Sequence, residues 1–151
     1  MINQHISQII QRDLSKAKDE LHLYTNQDTI WKVVPGISNS AGNLCLHLVG
    51  NLRHFIGAEL GHTGYVRNRD LEFSQKEVDL KELDALIDIT LAEVGKALEQ
   101  MDHTTLSKEF PKDIGGVKRD TLFVLLHLLS HLNYHLGQIN YHRRIVSSLE
   151  M

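Results

Sequence analysis

The sequence predicts an all-α protein built as a four-helix bundle. Four long segments carry apolar residues at three- and four-residue steps, the spacing that lays one apolar stripe along a helix. No segment shows convincing strand character, and only two prolines interrupt the 151 residues. The length is that of one domain without internal repeats, so we expect residues 1–151 to form a single bundle.

The first two helices are predicted over residues 2–24 and from residue 41 to near Gly57–Gly61. Pro35 breaks the apolar period between them. The polar stretch Ser38–Ser40 follows, and its side-chain oxygens can cap the second helix.

The third helix has two candidate starting points. Phe73, Ser74, Glu77 and Val78 have the spacing of a capping box with a hydrophobic staple, while Asp79 with Glu82 offers a competing start. In either case the helix runs to about residue 101. The stretch before it, residues 61–73, is rich in glycine and charge and has no sustained period, so we expect an irregular loop that acts as a lid.

The fourth helix is predicted from residue 118 to about 148. Between residues 121 and 139 it is nearly all apolar. A helix that is apolar around its whole circumference belongs in a core, so we expect this one to be the central element of the bundle.

Composition argues against several classes of protein. The formal charge of −3 lacks the basic excess of nucleic-acid-binding proteins, so we expect no nucleic-acid partner.

The single cysteine, Cys45, permits no internal disulfide and indicates a reducing compartment, which favours the cytoplasm. The N-terminal residues lack the apolar run of a signal peptide, and no segment approaches the roughly 18 consecutive apolar residues of a membrane span.

Histidines form a stripe on the fourth helix. His127, His131 and His135 fall at i, i+4 and i+8, so their side chains leave the helix on nearly one side. Gln138 and His142 continue the same face. Two histidines one turn apart can bind one divalent metal through their ring nitrogens, at about 2.0–2.1 Å, and imidazole is a common ligand of zinc and nickel. A third ligand would have to come from another helix.

The second helix offers that third ligand. His47 and His54 both lie on a polar line beside its apolar stripe, and His47 is the better candidate because it lies in the most apolar part of the helix. A lone helical histidine is more often a hydrogen-bonded core or boundary residue than a ligand. We interpret five other histidines in that way: His5, His22, His54, His62 and His103.

Three stretches resemble motifs of the DinB/YfiT-like superfamily and occur in order along nearly the whole chain: SNSAGNLCLHLVGNLRHFIGAELG, RNRDLEF and HLNYHLGQI. Their patterns are H-x-x-G-N, R-x-R-x-x-E-F and H-x-x-Y-H-x-G-Q-I. The resemblance implies an up-down-down-up four-helix bundle, usually a homodimer, with a three-histidine site for a divalent metal. It assigns the metal to His47, His131 and His135 and leaves His127 as a neighbour. Ser130 stands where relatives often have an acidic residue.

The resemblance also suggests a reaction. Superfamily members of known activity are thiol-dependent transferases and isomerases that use low-molecular-weight thiols such as bacillithiol or mycothiol. Three histidines leave a coordination position open, as in catalytic rather than structural metal sites. The first hypothesis is therefore a metal-dependent transferase acting with a small thiol. The alternatives are a metal-dependent hydrolase and a non-catalytic dimeric bundle whose metal is vestigial or sensory.

Two arginines of the 61–73 loop are candidate substrate ligands. The guanidinium groups of Arg67 and Arg69 suit the carboxylates of a small substrate. Alternating charges in a loop more often pair with one another, here with Asp70 or Glu72, and this second interpretation is favoured.

Three uncharged residues complete the tentative substrate-binding set. Asn51 lies one turn after His47, Gln138 lies close after His135, and Tyr134 directly precedes His135. We expect the open face of the metal to look into a pocket bordered by the 61–73 loop, with Tyr134 or Gln138 nearby and an arginine at its rim.

Overall fold

The computed structural model describes all 151 residues as a bundle of four long helices with no β-strand. Thus the predicted all-α bundle is confirmed. No helix in it has both the length and the apolarity needed to cross a membrane. The helices are α1 (Ile2–His22), α2 (Ala41–Leu52, continued by a π-helical segment over Arg53–Ala58), α3 (Arg69–Ser74), α4 (Leu80–Gln100) and α5 (Thr121–Leu149); short 3₁₀ turns cover Gln27–Trp31 and His103–Ser107.

Side-chain caps set where the helices begin. The Ser40 hydroxyl accepts from the Asn43 backbone N–H at 3.2 Å at the start of α2, and the Asp120 carboxylate accepts from the Phe123 N–H at 2.7 Å at the start of α5. Both caps satisfy a backbone donor that the first helical turn leaves free.

The third long helix begins at the second of its two predicted starts. Asp79 caps α4 by accepting from the Lys81 N–H at 2.8 Å. The expected start over residues 73–78 is wrong, because Ser74 ends α3 and Glu77 adopts a left-handed conformation with φ of 57°.

The long helices pack through their predicted apolar stripes. α1 lies against both α4 and α5, and α2 contacts the same two helices. Each fully buried leucine or isoleucine contributes roughly 1.5–3 kcal/mol through loss of apolar surface. The largest fully buried side chains come from all four long helices and from the first 3₁₀ turn: Ile10, Leu14, Leu21, Ile30, Leu48, Leu52, Ile56, Leu83, Ile87, Leu98, Leu125 and Leu128.

α5 is not buried around its whole circumference. It contacts α1 and α2 on one side, whereas Phe123, Leu126, Tyr134 and Tyr141 on the other side stay between 45% and 65% exposed. The expectation of a fully enclosed central helix is therefore wrong for its outer face. Apolarity alone did not distinguish a side chain in the core from one left on an uncharged surface.

A buried polar contact ties the end of α5 to the chain after α1. The side chain of His142 is almost fully buried, its Nε2–H donates to the Lys32 carbonyl at 2.7 Å, and its Nδ1 accepts from the Tyr24 hydroxyl at 2.7 Å. The carbonyl can only accept, so it requires a proton on Nε2. His142 is thus a hydrogen-bonded core residue rather than an extension of the histidine stripe.

Replacement of Tyr24 by Phe should destabilise the fold. The variant keeps the ring but leaves Nδ1 of buried His142 without its donor, which costs about 1–3 kcal/mol. Urea denaturation measures this loss. The control is Tyr65→Phe, whose hydroxyl makes no hydrogen bond within the chain while its ring lies under Arg53. Equal stability of the two variants would show that the Tyr24 hydroxyl contributes nothing.

Candidate metal centre

The structure brings His47, His131 and His135 together where α2 packs against α5. Nε2 of His131 lies 3.1 Å from Nε2 of His47 and 3.1 Å from Nε2 of His135. His47 is buried, and the other two rings are partly exposed at the edge of the bundle. One turn of α5 separates His131 from His135, so both rings leave the helix on the side that faces α2.

Hydrogen bonds on the far side of two rings fix which nitrogen is free. Nδ1 of His47 lies 2.9 Å from the Glu72 carboxylate, and Nδ1 of His135 lies 2.6 Å from the Gln138 side-chain oxygen. Both oxygens are acceptors, so each Nδ1 carries the proton and each Nε2 presents a lone pair. The two lone pairs point to the space beside Nε2 of His131.

These three residues fit a divalent metal ion. In a metal-free site the single proton of His131 can serve at most one of the two facing lone pairs. A divalent ion would accept a lone pair from each of the three rings. With bonds of about 2.0–2.1 Å, the three nitrogens would lie about 3.4 Å apart. All three ligand atoms lie within 4.8 Å of one another. Slight separation of the rings would therefore accommodate the ion.

Glu72 and Arg67 hold the His47 ring from behind. Arg67 donates from Nε and Nη2 to the two oxygens of Glu72, each at 2.8 Å, and Glu72 also accepts from His47. Both side chains are largely buried. Burial alone would raise the pKa of Glu72, but the hydrogen bonds from Arg67 and His47 keep that pKa below its ordinary value. Glu72 therefore stays ionised and accepts the His47 proton.

A glycine on α2 allows this carboxylate to approach. A Cβ at Gly50 would overlap the Glu72 carboxylate, with the carboxyl carbon only 2.6 Å away. The ring of Phe73, the residue after Glu72, lies against the His47 ring with 4.9 Å between centroids. Residues from the H-x-x-G-N and R-x-R-x-x-E-F patterns thus meet at one ligand.

Asn43 anchors the segment that supplies Glu72. Its side-chain amide donates to the carbonyls of Glu72 and Gln75 at 2.9 Å and 2.8 Å. These carbonyls lie at the end of α3, where helical partners are missing. α3 is consequently fastened to α2 one turn before His47.

The environment also keeps two ligands uncharged. Burial, followed by the nearby rings of His135 and His47, lowers the pKa of His131 to about 4. Burial likewise lowers the pKa of His135, although its hydrogen bond to Gln138 opposes this shift. At neutral pH both rings are uncharged, which is the form that binds metal.

The cavity beside the histidines has different walls from those expected. About 420 Å³ in volume, it is bordered by residues 36–39 and by Tyr134, His135 and Gln138, with Tyr141 on the same face of α5. The prediction that the 61–73 loop borders this pocket is wrong. That segment contains α3 and packs behind His47 instead, because its polar groups bond to Asn43 and His47.

The other tentative substrate residues have separate surroundings. Neither arginine lines the cavity. Arg67 donates to Glu72, and the Arg69 guanidinium lies 5.2 Å from the centre of the Phe73 ring. Asn51 is buried, and its side-chain oxygen has no hydrogen-bond partner. Nδ1 of His131 is likewise buried without a partner.

The sequence did not reveal that Glu72 orients a metal ligand. From the sequence we expected Glu72 to pair with the loop arginines, whereas its carboxylate also accepts from the His47 ring. The spacing of Arg67, Glu72 and Phe73 was visible in the sequence. Its connection to His47 was not, since it depends on a six-residue helix too short to show an apolar period.

Glu72→Gln should weaken binding of a divalent ion about 10- to 100-fold, because the carboxylate that orients a metal-bound histidine and increases its basicity is lost. Zinc titration of untagged protein measures the change. Glu93→Gln is the matched control, since Glu93 accepts from Arg53 in a similar two-bond pair at 2.8 Å and 2.9 Å. Equal affinities in the two variants would exclude this function for Glu72.

The metal-free protein should lose stability as the pH falls below about 6.5. The folded state holds the pKa of His131 near 4, below its ordinary value of 6.5, so the unfolded chain binds this proton first. The free energy of unfolding that depends on uncharged His131 is fully present above pH 6.5 and is lost as the pH approaches 4. Urea midpoints measured in chelator between pH 7.5 and pH 5 should decline, and less steeply in His131→Gln. An identical decline in both proteins would contradict this assignment.

Comparison with known proteins identifies the family. Residues 2–151 match the sequence profile of a family described as "Protein of unknown function (DUF1572)". A search of curated proteins found no match. Among solved structures, a DinB-like protein from Bacillus cereus superposes with a TM-score of 0.73 at 15% identity, over 95% of this chain and 92% of that one. The chain therefore belongs to the DUF1572 family and has the DinB-like fold that its motifs suggested.

Proposed function

We propose that the chain binds one divalent metal ion through His47, His131 and His135 and is a metal-dependent transferase that uses a low-molecular-weight thiol. We further propose that it acts as a homodimer. One observation carries the proposal: the Nε2 atoms of three histidines lie within hydrogen-bond distance in a chain around His131, while carboxylate and amide oxygens bind the Nδ1 atoms of two of them. Zinc and nickel suit a set of imidazole ligands.

The proposed centre favours chemistry over a structural role. Three protein ligands leave a coordination position free, whereas a structural zinc site is closed by four. A divalent ion held by His47, His131 and His135 would lower the pKa of a thiol or water at this centre, so that the nucleophilic form would be present at neutral pH. The partial exposure of His131 and His135 leaves a path for a small molecule to reach it.

The cavity beside His135 suits the electrophilic substrate. Its walls combine the apolar Ile37 and Leu44 with the neutral polar groups of Ser38, Asn39 and Gln138. No Asp, Glu, Lys or Arg lines it. We infer that it takes a small, uncharged and partly apolar molecule, oriented by hydrogen bonds to neutral side chains.

The transfer forms one bond and breaks another. The thiolate sulfur attacks an electrophilic carbon of the substrate in the cavity. A sulfur–carbon bond forms while the bond from that carbon to its leaving group breaks, and the leaving group departs with the electron pair and takes up the proton that the thiol lost. Tyr134 and Gln138 lie where they can contact the acceptor during this step.

The lining also favours transfer over hydrolysis. A hydrolase commonly positions a carboxylate to remove the proton of water. Glu72 lies outside the cavity, where it accepts from both Arg67 and His47, and no carboxylate lines the cavity. A thiol loses its proton without such a base more readily than water does, since its ordinary pKa of about 8.5 is far below that of water.

His135→Ala should abolish both metal retention and thiol transfer, because it removes one of the three ligands. The helices should stay folded, since a partly exposed open site contributes less to folding than a closed structural one. The matched control is His127→Ala, an exposed histidine two turns earlier on α5, which should retain both properties. Metal analysis, circular dichroism and a transfer assay measure the three quantities.

The assay offers zinc- or nickel-loaded protein bacillithiol, mycothiol and glutathione with a panel of uncharged electrophiles. At least one pair should turn over faster than without protein. If the protein binds metal but no pair reacts, the transferase proposal fails and the non-catalytic alternative takes its place. If His135→Ala binds metal as well as wild type does, the proposed centre itself is wrong.

A further inference from the structure

Asn51 is a buried polar side chain whose oxygen has no hydrogen-bond partner. It belongs to a polar line on α2, in which Asn43, His47 and Asn51 follow one another at four-residue steps. Asn43 bonds to the α3 segment and His47 bonds to Glu72, whereas the oxygen of Asn51, a residue only 8% exposed, is unpaired. Buried polar groups are normally hydrogen-bonded, because an unpaired one costs free energy. A partner for Asn51 is therefore to be sought close by.

Nδ1 of His131 is the matching unpaired atom on α5. Three buried side-chain polar atoms of the chain have no partner: the oxygens of Asn3 and Asn51 and this nitrogen. Asn3 lies elsewhere, on α1, where its amide donates to the Leu98 carbonyl of α4 at 3.1 Å. The other two atoms belong to the two helices that meet at the candidate metal centre.

The direction of the two helices brings these side chains toward each other. Leu44, three residues before His47, and Gln138, three residues after His135, line the same cavity, so α2 and α5 run antiparallel here. Asn51, one turn after His47, therefore lies level with the part of α5 that precedes His131. Side chains on a helix lean toward its N-terminus. The side chains of Asn51 and His131 thus lean toward one another across the contact.

Metal binding would change which nitrogen of His131 carries the proton. In the structure, Nε2 of His131 lies 3.1 Å from the lone pairs of both His47 and His135, so its proton is on Nε2 and its Nδ1 is an acceptor. A metal ligand must instead present a lone pair from Nε2, which moves the proton to Nδ1. Nδ1 then becomes a buried donor that requires an acceptor.

We propose that Asn51 accepts the Nδ1–H of His131 in the metal-bound protein, directly or through one water molecule, and so orients this ligand. The inference rests on the proposed three-histidine centre. Metal-bound histidines almost always donate their second ring N–H to an oxygen acceptor. Glu72 serves His47 in this way and Gln138 serves His135, so Asn51 completes the set.

An amide suits both forms of the His131 ring. Its oxygen accepts from Nδ1–H when the metal is bound, and after rotation its NH₂ can donate to the bare Nδ1 of the metal-free protein. A carboxylate could serve only the first form, and an aliphatic side chain could serve neither. This difference separates the effects of two substitutions at residue 51.

Asn51→Leu removes the acceptor and keeps a side chain of similar size. Zinc titration of untagged protein should show binding weakened about 10-fold, as for the loss of other groups that orient a metal ligand. Urea denaturation in chelator should show stability at least equal to that of wild type, because an apolar group replaces an unpaired acceptor. The matched control is Asn3→Leu, which removes the other buried amide with an unpaired oxygen and should leave zinc affinity unchanged.

Asn51→Asp tests whether the oxygen itself is responsible. It retains an acceptor at the same place, so zinc affinity should equal or exceed that of wild type. Because only His131 loses its acceptor in Asn51→Leu, nitrogen NMR of zinc-loaded, histidine-labelled protein should show its Nδ1–H signal shifted, with the signals of His47 and His135 nearly unchanged.

Three results would overturn the inference: wild-type zinc affinity in Asn51→Leu, binding by Asn51→Asp as weak as by Asn51→Leu, or an unshifted His131 signal in Asn51→Leu. Each of these, obtained with a wild type that binds zinc normally, leaves the three-histidine centre in place. A wild type that binds no zinc would overturn the centre and this inference together.

Discussion

The candidate metal centre depends on one carboxylate. Glu72 accepts from the His47 ring on one side and from Arg67 on the other, and it does so in a largely buried position. A carboxylate there would be costly without its two donors. With them it stays ionised, keeps the proton of His47 on Nδ1 and turns Nε2 toward the other histidines. The short helix α3, its anchor on Asn43 and the missing side chain at Gly50 all serve this contact.

The same contact explains why the three motifs occur together in one chain. α5 supplies two histidines one turn apart, which requires only helical geometry. α2 supplies the third, but a single histidine among leucines has no fixed tautomer until something binds its other nitrogen. The α3 segment provides that partner. The bundle holds the two long helices at the right separation, and the small helix determines the chemistry of the buried ligand.

Much of this was predictable from apolar periodicity and side-chain spacing. The long helices repeat apolar residues over several turns, which outweighs any local ambiguity, and α2 begins after the predicted cap Ser40. α5 begins at Thr121 after the Asp120 cap, later than the predicted start at residue 118. α3 escaped prediction because its six residues are stabilised by contacts to Asn43 rather than by a pattern of their own. The cavity wall was misplaced for the same reason: the polar groups of the 61–73 segment are used behind His47. Periodicity also could not distinguish the buried side of α5 from its apolar outer face.

X-ray absorption spectroscopy of untagged, zinc-loaded protein identifies the atoms that bind the ion and so tests whether the three histidines are its ligands. We expect one ion per chain, bound by three imidazole nitrogens at about 2.0–2.1 Å and by an oxygen ligand from solvent. His47→Ala should remove one imidazole from the spectrum or prevent loading. A spectrum without imidazole scattering, or one that His47→Ala leaves unchanged, would contradict the assignment of the metal to His47, His131 and His135.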